Sequence, residues 1–269
     1  MTTKVALVSG ASSGIGNAVA RALSSTGYVV FGTSRSIESG TVIDGIHFVR
    51  MDVNSEQQVA SGVEYIMKQT GSLHVVVNNA GLGMVGPVEC ISDVEAREIF
   101  DTNVFGVLNV CRNTIQHMRE SGGGYIINIT SLAAQMGLPF RGIYSASKFA
   151  VEGFTESLSQ EVSQFGIKVV IVEPGDFKTN INSSRKVASF VHESYKDQST
   201  DTLKQIRDEV SRAPLPEAIG RCIVKIVNDP TPRLRYRVAN LKHRFSLTLL
   251  KILPSRWFEY LIMKHYKLK

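Results

Sequence analysis

The stretch Val5-Ala-Leu-Val-Ser-Gly10-Ala-Ser-Ser-Gly14-Ile-Gly16 decides the fold. Its first residues predict a buried strand, its glycines a tight turn, and the apolar spacing after Gly16 a helix. Small residues let a backbone approach a pyrophosphate, and a helix N-terminus offers free N–H groups and a positive dipole end. The stretch therefore predicts a dinucleotide-binding turn, the alternative being a glycine-rich turn without a ligand.

The ends of the next two predicted strands bear on which dinucleotide binds. In an NAD-binding unit, an acidic residue near the end of the second strand holds the ribose hydroxyls. Here Ser34 and Arg35 take that place. A serine beside a guanidinium suits a 2′-phosphate, so we expect NADP and consider NAD the weaker candidate. The alternative is a surface arginine. Asp52 and Val53 end the third strand, where the aspartate can reach the adenine amino group.

The rest of the chain continues the alternation of strands and helices. Continuous apolar runs begin at Leu73, Tyr125 and Ile167, and such runs are typical of strands that are buried on both faces of a parallel sheet. The alternation predicts an α/β fold with a doubly wound, mostly parallel sheet and helices on both faces. We expect one domain over residues 1–269, because no linker, repeat or low-complexity tract interrupts the pattern.

Four polar residues stand where chemistry is expected. Tyr144 and Lys148 are four residues apart, so a helix places both on one face, and an ammonium favours the phenolate form of a neighbouring tyrosine. Alone, this spacing is weak evidence, and the alternative is a helix with one buried aromatic residue and one solvated lysine. Ser131 ends a predicted strand, at the edge where open α/β sheets bind ligands. Asn103 lies within a predicted helix over 92–119, where it either holds a water or backbone group or is simply tolerated.

Composition excludes several classes of protein. Of the 269 residues, 43% are hydrophobic and 20% are charged, and the mean hydropathy is +0.01, which is typical of a soluble globular protein. We see neither a signal peptide nor an apolar run of membrane-spanning length. The three cysteines have no pairing pattern and the six histidines no ligand spacing, so we expect a cytoplasmic protein without a metal.

Charge is distributed unevenly along the chain. Residues 233–269 hold ten Lys and Arg against the single acid Glu259, a net +9, which leaves 20 basic and 23 acidic residues, a net −3, for the remainder. This asymmetry indicates a surface role for the extension and no binding of nucleic acid. The extension resembles short amphipathic helices broken at Pro254. It could pack on the body or complete a substrate pocket, form an oligomer contact, or lie on an anionic membrane surface.

Residues 182–214 are predicted to form a substrate lid.

Together these motifs resemble one family. Gly10-x3-Gly14-x-Gly16, Asn78-Asn-Ala-Gly81, Asn103, Ser131, Tyr144-x3-Lys148 and Pro174-Gly175 are similar to the short-chain dehydrogenase/reductase family, in its short single-domain branch. The motifs follow in order from about Lys4 to Asn180. Ser9 stands where the family usually has threonine, and it retains the hydroxyl. The resemblance implies a Rossmann-type sheet of seven mostly parallel strands.

The resemblance also implies roles for individual residues. Tyr144 would be the general acid in reduction and the base in oxidation, and Ser131 would hold the substrate carbonyl. Lys148 would bind the nicotinamide ribose and favour the phenolate, and Asn103 would hold a water in a proton relay. The implied cofactor-binding residues are Gly10, Ser12, Ser13, Gly14, Ile15, Gly16, Ser34, Arg35, Asp52, Val53, Asn79, Ala80, Gly81, Tyr144, Lys148, Pro174, Gly175, Phe177 and Thr179.

The implied activity is the NADP(H)-dependent interconversion of a carbonyl and an alcohol. A looser resemblance to 17β-hydroxysteroid and retinol dehydrogenase-like members implies a lipophilic substrate that is steroid, retinoid or fatty acyl-like. Candidate wall residues for it are Phe140, Phe190 and Tyr195. A homodimer or homotetramer is implied, through the helices over 92–119 and 144–165. The alternative function is a catalytically silent NADP(H)-binding sensor or regulatory protein of the same fold.

Overall fold

A computed structural model describes residues 3–179 and 185–268. Its centre is an eight-stranded sheet in the order β10-β8-β7-β5-β1-β2-β4-β3, beside a two-stranded sheet of β6 and β9. The strands are β1 Val5–Val8, β2 Val29–Ser34, β3 Val42–Ile43, β4 Ile46–Arg50, β5 Val75–Asn78, β6 Met84–Val85, β7 Gly124–Ile129, β8 Ile167–Pro174, β9 Lys186–Val187 and β10 Arg235–Val238. Seven strands of the large sheet run parallel, as predicted, and the two-residue β3 adds an antiparallel edge.

Helices connect the parallel strands. They are α1 Gly14–Ser24, α2 Glu56–Thr70, α3 Asp93–Phe100, α4 Gly106–Glu120, α5 Gly142–Glu161, α6 Lys196–Arg212, α7 Glu217–Val227, α8 Leu241–Ile252 and α9 Ser255–His265. Side chains cap the N-termini of some of these helices. Ser55 caps α2, and Ser92 and Glu95 form a reciprocal capping box at α3.

The sheet is buried on both faces, and β1 shows how. Ala6 and Val8 point to one side, into a core shared with α1 and α7. Val5 and Leu7 point to the other side, into a core shared with α2, α4 and α5. All four β1 residues are buried, because successive strand residues alternate between two helix-covered faces. The predicted doubly wound α/β fold is therefore confirmed.

Two predicted segments differ in detail from the structure. The helix expected over 92–119 is α3 and α4 joined by a π-helical turn, Asp101–Phe105, which accommodates one extra residue. The basic extension expected from residue 233 begins with a strand, because Arg235–Val238 pairs with β8 before the amphipathic helices start. Those helices are α8 and α9, and they break at Pro254 as predicted. In the segment predicted as a lid, residues 182–184 lie outside the described residues, and α6 forms most of the remainder.

Candidate active site

A cavity of about 560 Å³ opens at the carboxyl ends of the parallel strands. Because the strands run parallel, their carboxyl ends meet at one edge of the sheet. All the predicted catalytic and cofactor residues line this cavity except Gly16 and Asn103, which contact residues of its wall. The glycine turn, Arg35, Ser131 and the Tyr144 helix are thus brought together although they are far apart in sequence.

The glycine turn has the backbone that its sequence predicts. Gly10 and Gly14 adopt left-handed conformations, with φ of 66° and 57°. A Cβ on Gly16 would lie 2.3 Å from the Gly10 carbonyl oxygen, so only glycine fits. The Ser9 hydroxyl accepts hydrogen bonds from the backbone N–H groups of Asn79, at 2.9 Å, and Ala80, at 3.1 Å. This hydroxyl therefore ties the turn to the loop after β5.

Tyr144 and Lys148 lie one turn apart on α5, and both are buried. The Lys148 ammonium donates a hydrogen bond to the Ile129 carbonyl over 3.1 Å. Burial lowers the pKa of Lys148, and the neighbouring Tyr144 and Glu152 partly oppose this shift. The guanidinium carbon of Arg141 lies 5.1 Å from the centre of the Tyr144 ring. The phenol therefore has cationic neighbours on two sides.

Asn103 is fully buried in the π turn and holds two elements together. Its Oδ1 accepts from the Leu82 N–H at 2.7 Å, and its Nδ2 donates to the Leu82 carbonyl at 2.9 Å and to the Ser147 hydroxyl at 3.0 Å. A Cβ on Gly81 would lie 3.1 Å from Asn103 Oδ1 and 3.6 Å from Lys148 Nζ, which places the two side chains around the same point. The asparagine thus joins the loop after β5 to α5.

Ser131 follows β7 and is half-buried at the cavity wall. Its hydroxyl oxygen accepts a hydrogen bond from the Ala133 N–H at 3.1 Å, and this contact orients the side chain. Since a hydroxyl both accepts and donates, its own hydrogen is left to donate to a ligand in the cavity.

The adenosine end of the cavity is more open. The Ser34 hydroxyl is buried and accepts from the Ser36 N–H at 3.2 Å. Arg35 is exposed at the cavity wall, and no acidic group among residues 3–179 and 185–268 lies in ion-pair distance of it. Asp52 Oδ1 accepts from the Asn54 N–H at 3.0 Å, which fixes its carboxylate beside the cavity.

A buried carboxylate cluster behind the site was not predicted. Glu152 on α5 and Glu173 at the end of β8 are both buried, and the Gln135 amide donates to both, at 2.6 Å and 2.8 Å. Burial and the charge of Glu173 raise the pKa of Glu152 to about 7, although Arg235 opposes the shift. Arg235 pairs with Glu152 at 2.9 Å, and Arg237 pairs with Glu173 at 2.6 Å. A glutamate directly after the apolar run Val169-Val-Ile-Val172 was the available sequence signal.

The C-terminal helices also reach the site, through contacts that sequence spacing does not reveal. His243 of α8 lies 3.3 Å from Asp176, which lines the cavity. Tyr266, just after α9, is buried and accepts a hydrogen bond from Arg141. Arg185 lines the same wall, and burial together with the charge of Arg141 lowers its pKa to about 10. The basic extension therefore packs on the body beside Asp176 and Arg141, which line the cavity.

The predicted aromatic wall residues are arranged differently from the expectation. Phe140 and Tyr195 form an edge-to-face pair with ring centres 6.4 Å apart, packed in a cluster with Val85 and Ile206. Phe190 is exposed. None of the three lines the described cavity, because Phe140 and Tyr195 are used in packing α6 against the body.

A sheet of this order with a glycine turn at its switch point defines a Rossmann-type nucleotide-binding protein. A family model described as short chain dehydrogenase matches residues 4–188. The chain belongs to the short-chain dehydrogenase/reductase family, and it is an oxidoreductase of the class that uses a nicotinamide cofactor.

Several known proteins are similar along most of the chain. A 3-ketodihydrosphingosine reductase of Bacteroides thetaiotaomicron is 36% identical over 100% of both chains. Retinol dehydrogenase 8 of Bos taurus is 32% identical over 94% of this chain and 86% of its own. The crystal structure of a short-chain dehydrogenase from Streptomyces avermitilis has a TM-score of 0.84 and 31% identity, with 98% of each chain covered. These relatives include enzymes that are named for lipid-like substrates. Within the described residues, no helix has the length and apolarity to cross a membrane.

Proposed function

We propose that this protein is an NADP(H)-dependent oxidoreductase that interconverts a carbonyl and an alcohol on a lipophilic substrate, with Tyr144 as the acid/base. The observation that carries the proposal is the convergence of Ser131, Tyr144 and Lys148 on one cavity that also holds the glycine turn and Arg35. A protein that only sensed the nucleotide would need the turn and no phenol–ammonium pair.

The chain's own residues supply position and proton delivery. Ser131 donates its hydroxyl hydrogen to the substrate oxygen and holds that oxygen next to the Tyr144 hydroxyl. Tyr144 gives its proton to the oxygen in reduction and takes it back in oxidation, and the Lys148 ammonium stabilises the phenolate in between. Asn103 keeps the Leu82 loop against α5, so that this geometry is held before the substrate binds. The nicotinamide supplies or accepts the hydride when bound.

The preference for NADP rests on the adenosine end. Arg35 is an exposed cation at the cavity wall beside Ser34, and β2 ends without an acidic residue. A 2′-phosphate would find a permanent planar donor there, whereas the bare ribose hydroxyls of NAD would find no carboxylate acceptor. The remaining predicted cofactor residues would hold the pyrophosphate at Gly10–Gly16, the adenine at Asp52 and Val53, and the nicotinamide at 174–179.

The lipophilic substrate class rests on the relatives. The similarity to a 3-ketodihydrosphingosine reductase and to retinol dehydrogenase 8 supports a ketone or alcohol on a long apolar body. We propose a cytoplasmic enzyme with peripheral membrane contact through the extension. We also propose a homodimer or homotetramer through the helices α4 and α5, where Phe105, next to α4, and Phe149 on α5 expose their rings.

The test is to follow NADPH absorbance with a panel of lipophilic ketones for the wild type and for Tyr144→Phe. Removing the hydroxyl while the ring is kept should lower turnover by about 10³-fold, because proton transfer by a positioned group contributes roughly 10²- to 10⁴-fold. Binding of NADPH, measured by fluorescence, should be nearly unchanged.

Tyr236→Phe is the matched control, since this tyrosine lies on β10 outside the cavity. Equal turnover of Tyr144→Phe and the wild type would refute the proposed role of Tyr144. Tight NADPH binding without turnover of any ketone or alcohol in the wild type would favour the sensor.

A further inference from the structure

Helices α8 and α9 present two different faces. Their inner face is anchored: Leu247, Phe258 and Tyr266 are buried, and His265 lies 3.3 Å from Glu209 of α6. Because Tyr266 also contacts Arg141 beside Tyr144, this anchoring connects the two helices to the active site. The helices therefore have a defined orientation on the body, and so does their outer face.

The outer face carries two apolar stripes. On α8, Leu241, Phe245 and Ile252 are 82%, 63% and 71% exposed, and their spacing of four and seven residues places them on one side of the helix. On α9, the exposed large apolar residues are Trp257, Tyr260 and Leu261, which again share one side. A concentration of six large apolar side chains on two adjoining helices marks an interaction surface.

Basic residues flank these stripes. Arg244 and Lys251 lie on one flank of the α8 stripe, and with Arg233 they line a cavity of about 690 Å³ that has Ile252 at its wall. No acidic group in the described part of the chain pairs with these three cations. Arg235 and Arg237 line the same cavity, but their guanidinium groups pair inward with the buried carboxylates.

We propose that α8 and α9 dock on an anionic lipid surface, with the apolar stripes in the headgroup–acyl boundary and Arg233, Arg244 and Lys251 on lipid phosphates. Basic amphipathic helices that carry Trp and Leu on one face bind membranes in this way, and Trp and Tyr favour the interface. A second copy of the chain fits less well, because two extensions of net charge +9 would repel one another at a shared interface. The proposal does not depend on the oxidoreductase activity.

The experiment uses the full-length protein and its single tryptophan. Trp257 lies in the α9 stripe and is 69% exposed, so insertion should shift its emission to shorter wavelength and expose it to quenching by lipids with brominated acyl chains. The vesicles are phosphatidylcholine alone or phosphatidylcholine with about one third phosphatidylglycerol, and sedimentation at low salt gives the partition coefficient. We expect quenching and sedimentation with the anionic vesicles and neither with the neutral ones.

Variants separate the two parts of the surface. Arg244→Ala combined with Lys251→Ala should weaken partitioning by about 30-fold, at roughly fivefold for each basic residue near the surface. Phe245→Glu should abolish the quenching. Val94→Glu is the matched control, because Val94 is equally exposed on α3, away from the extension, and this variant should bind like the wild type.

Three outcomes would overturn the proposal. The first is full-length protein that does not sediment with anionic vesicles at low salt. The second is Phe245→Glu that binds as the wild type does while its thermal unfolding and oligomeric state are unchanged. The third is a Trp257 emission that is already shifted in concentrated protein without lipid and is unaffected by vesicles, which would assign the stripes to a second copy of the chain.

Discussion

The two ends of the cavity are built in different ways. At the end proposed to be catalytic, Asn103 and Lys148 are buried, and hydrogen bonds to Leu82, Ser147 and Ile129 hold them in place. At the adenosine end, Arg35 is exposed and has no ion-pair partner in the described part of the chain. Under the proposed function, this difference would let the protein fix the reacting geometry through its own packing and leave cofactor selection to an exposed side chain. Changes at the first end should affect turnover, and changes at the second should affect affinity.

Lys148→Met should give the largest effect. Loss of the ammonium should lower turnover by about 10³-fold, since it removes the charge that stabilises the phenolate. Stability should be unchanged or higher, because the lowered pKa of Lys148 shows that its charge is costly to bury. Steady-state kinetics and thermal unfolding measure the two quantities. Lys225→Met, at an exposed position of α7, is the control, and a parallel loss of stability and turnover would contradict this division.

Asn103→Leu should come next. The substitution removes both hydrogen bonds to the Leu82 backbone and the one donated to the Ser147 hydroxyl, which keeps its bond to the Tyr144 carbonyl. The loop should therefore move relative to α5, and turnover should fall by about 10²-fold. The free energy of unfolding should fall by about 2 kcal/mol, the cost of unsatisfied buried groups. Asn113→Leu makes the same chemical change on the outer part of α4 and should retain turnover. If stability falls and turnover does not, Asn103 has only a structural role, and the proposed difference between the two ends of the cavity is wrong for the end that contains Asn103.

Arg35→Ala tests the opposite end. The dissociation constant of NADPH should rise by roughly 10- to 100-fold, the worth of charge-assisted hydrogen bonds to a phosphate, while that of NADH is unchanged. Fluorescence titration of both cofactors gives the ratio, and Arg21→Ala, on the exposed side of α1, is the control. An equal loss for both cofactors would show that Arg35 does not read the 2′-phosphate.

Glu152→Gln should have the smallest effect. We expect the effect in the pH dependence of the free energy of unfolding. The pKa of Glu152 is about 7 in the folded protein and lies above its ordinary 4.5, so the folded state binds this proton more tightly than the unfolded state. Stability therefore falls as the pH rises through this window, by about 1 to 2 kcal/mol between roughly pH 5 and pH 8. Urea unfolding at both pH values should show a flatter dependence in Glu152→Gln. Glu156→Gln, half-exposed one turn further along α5, should keep the slope of the wild type.

Local patterns were sufficient to predict the sheet, the glycine turn and the two residues on α5. Strand ends are informative because a parallel sheet brings them to one edge, so Ser131 and Arg35 could be placed before any contact was known. The Tyr144–Lys148 spacing is likewise a property of one helix. The family and the fold that these patterns predicted are confirmed by the matched family model and the sheet order.

Contacts between distant segments could not be predicted in the same way. Arg141 donates a hydrogen bond to Tyr266, which lies more than a hundred residues further along the chain. Glu173 pairs with Arg237, which is 64 residues away in sequence. Nothing in local spacing specifies such partners. The π turn was missed for a related reason. The apolar spacing over 92–119 predicts a helix and its buried face, but it does not reveal the one extra residue that the π turn accommodates between α3 and α4.

That π turn sets a length requirement on the chain. In the segment Asp101–Phe105, the Gly106 N–H closes the wide turn on the Asp101 carbonyl, and downstream of it α4 buries Val107 and Val110 against the sheet. Deleting one residue would restore ordinary helix and rotate everything beyond it by about 100°, one residue's share of a turn. If α4 kept its place, Asn103 would lose its contacts with the Leu82 loop. If Asn103 kept those contacts, the apolar side of α4 would face water. This stretch should thus tolerate several exchanges of residue type but no change in their number, and homologous chains should align through it without gaps.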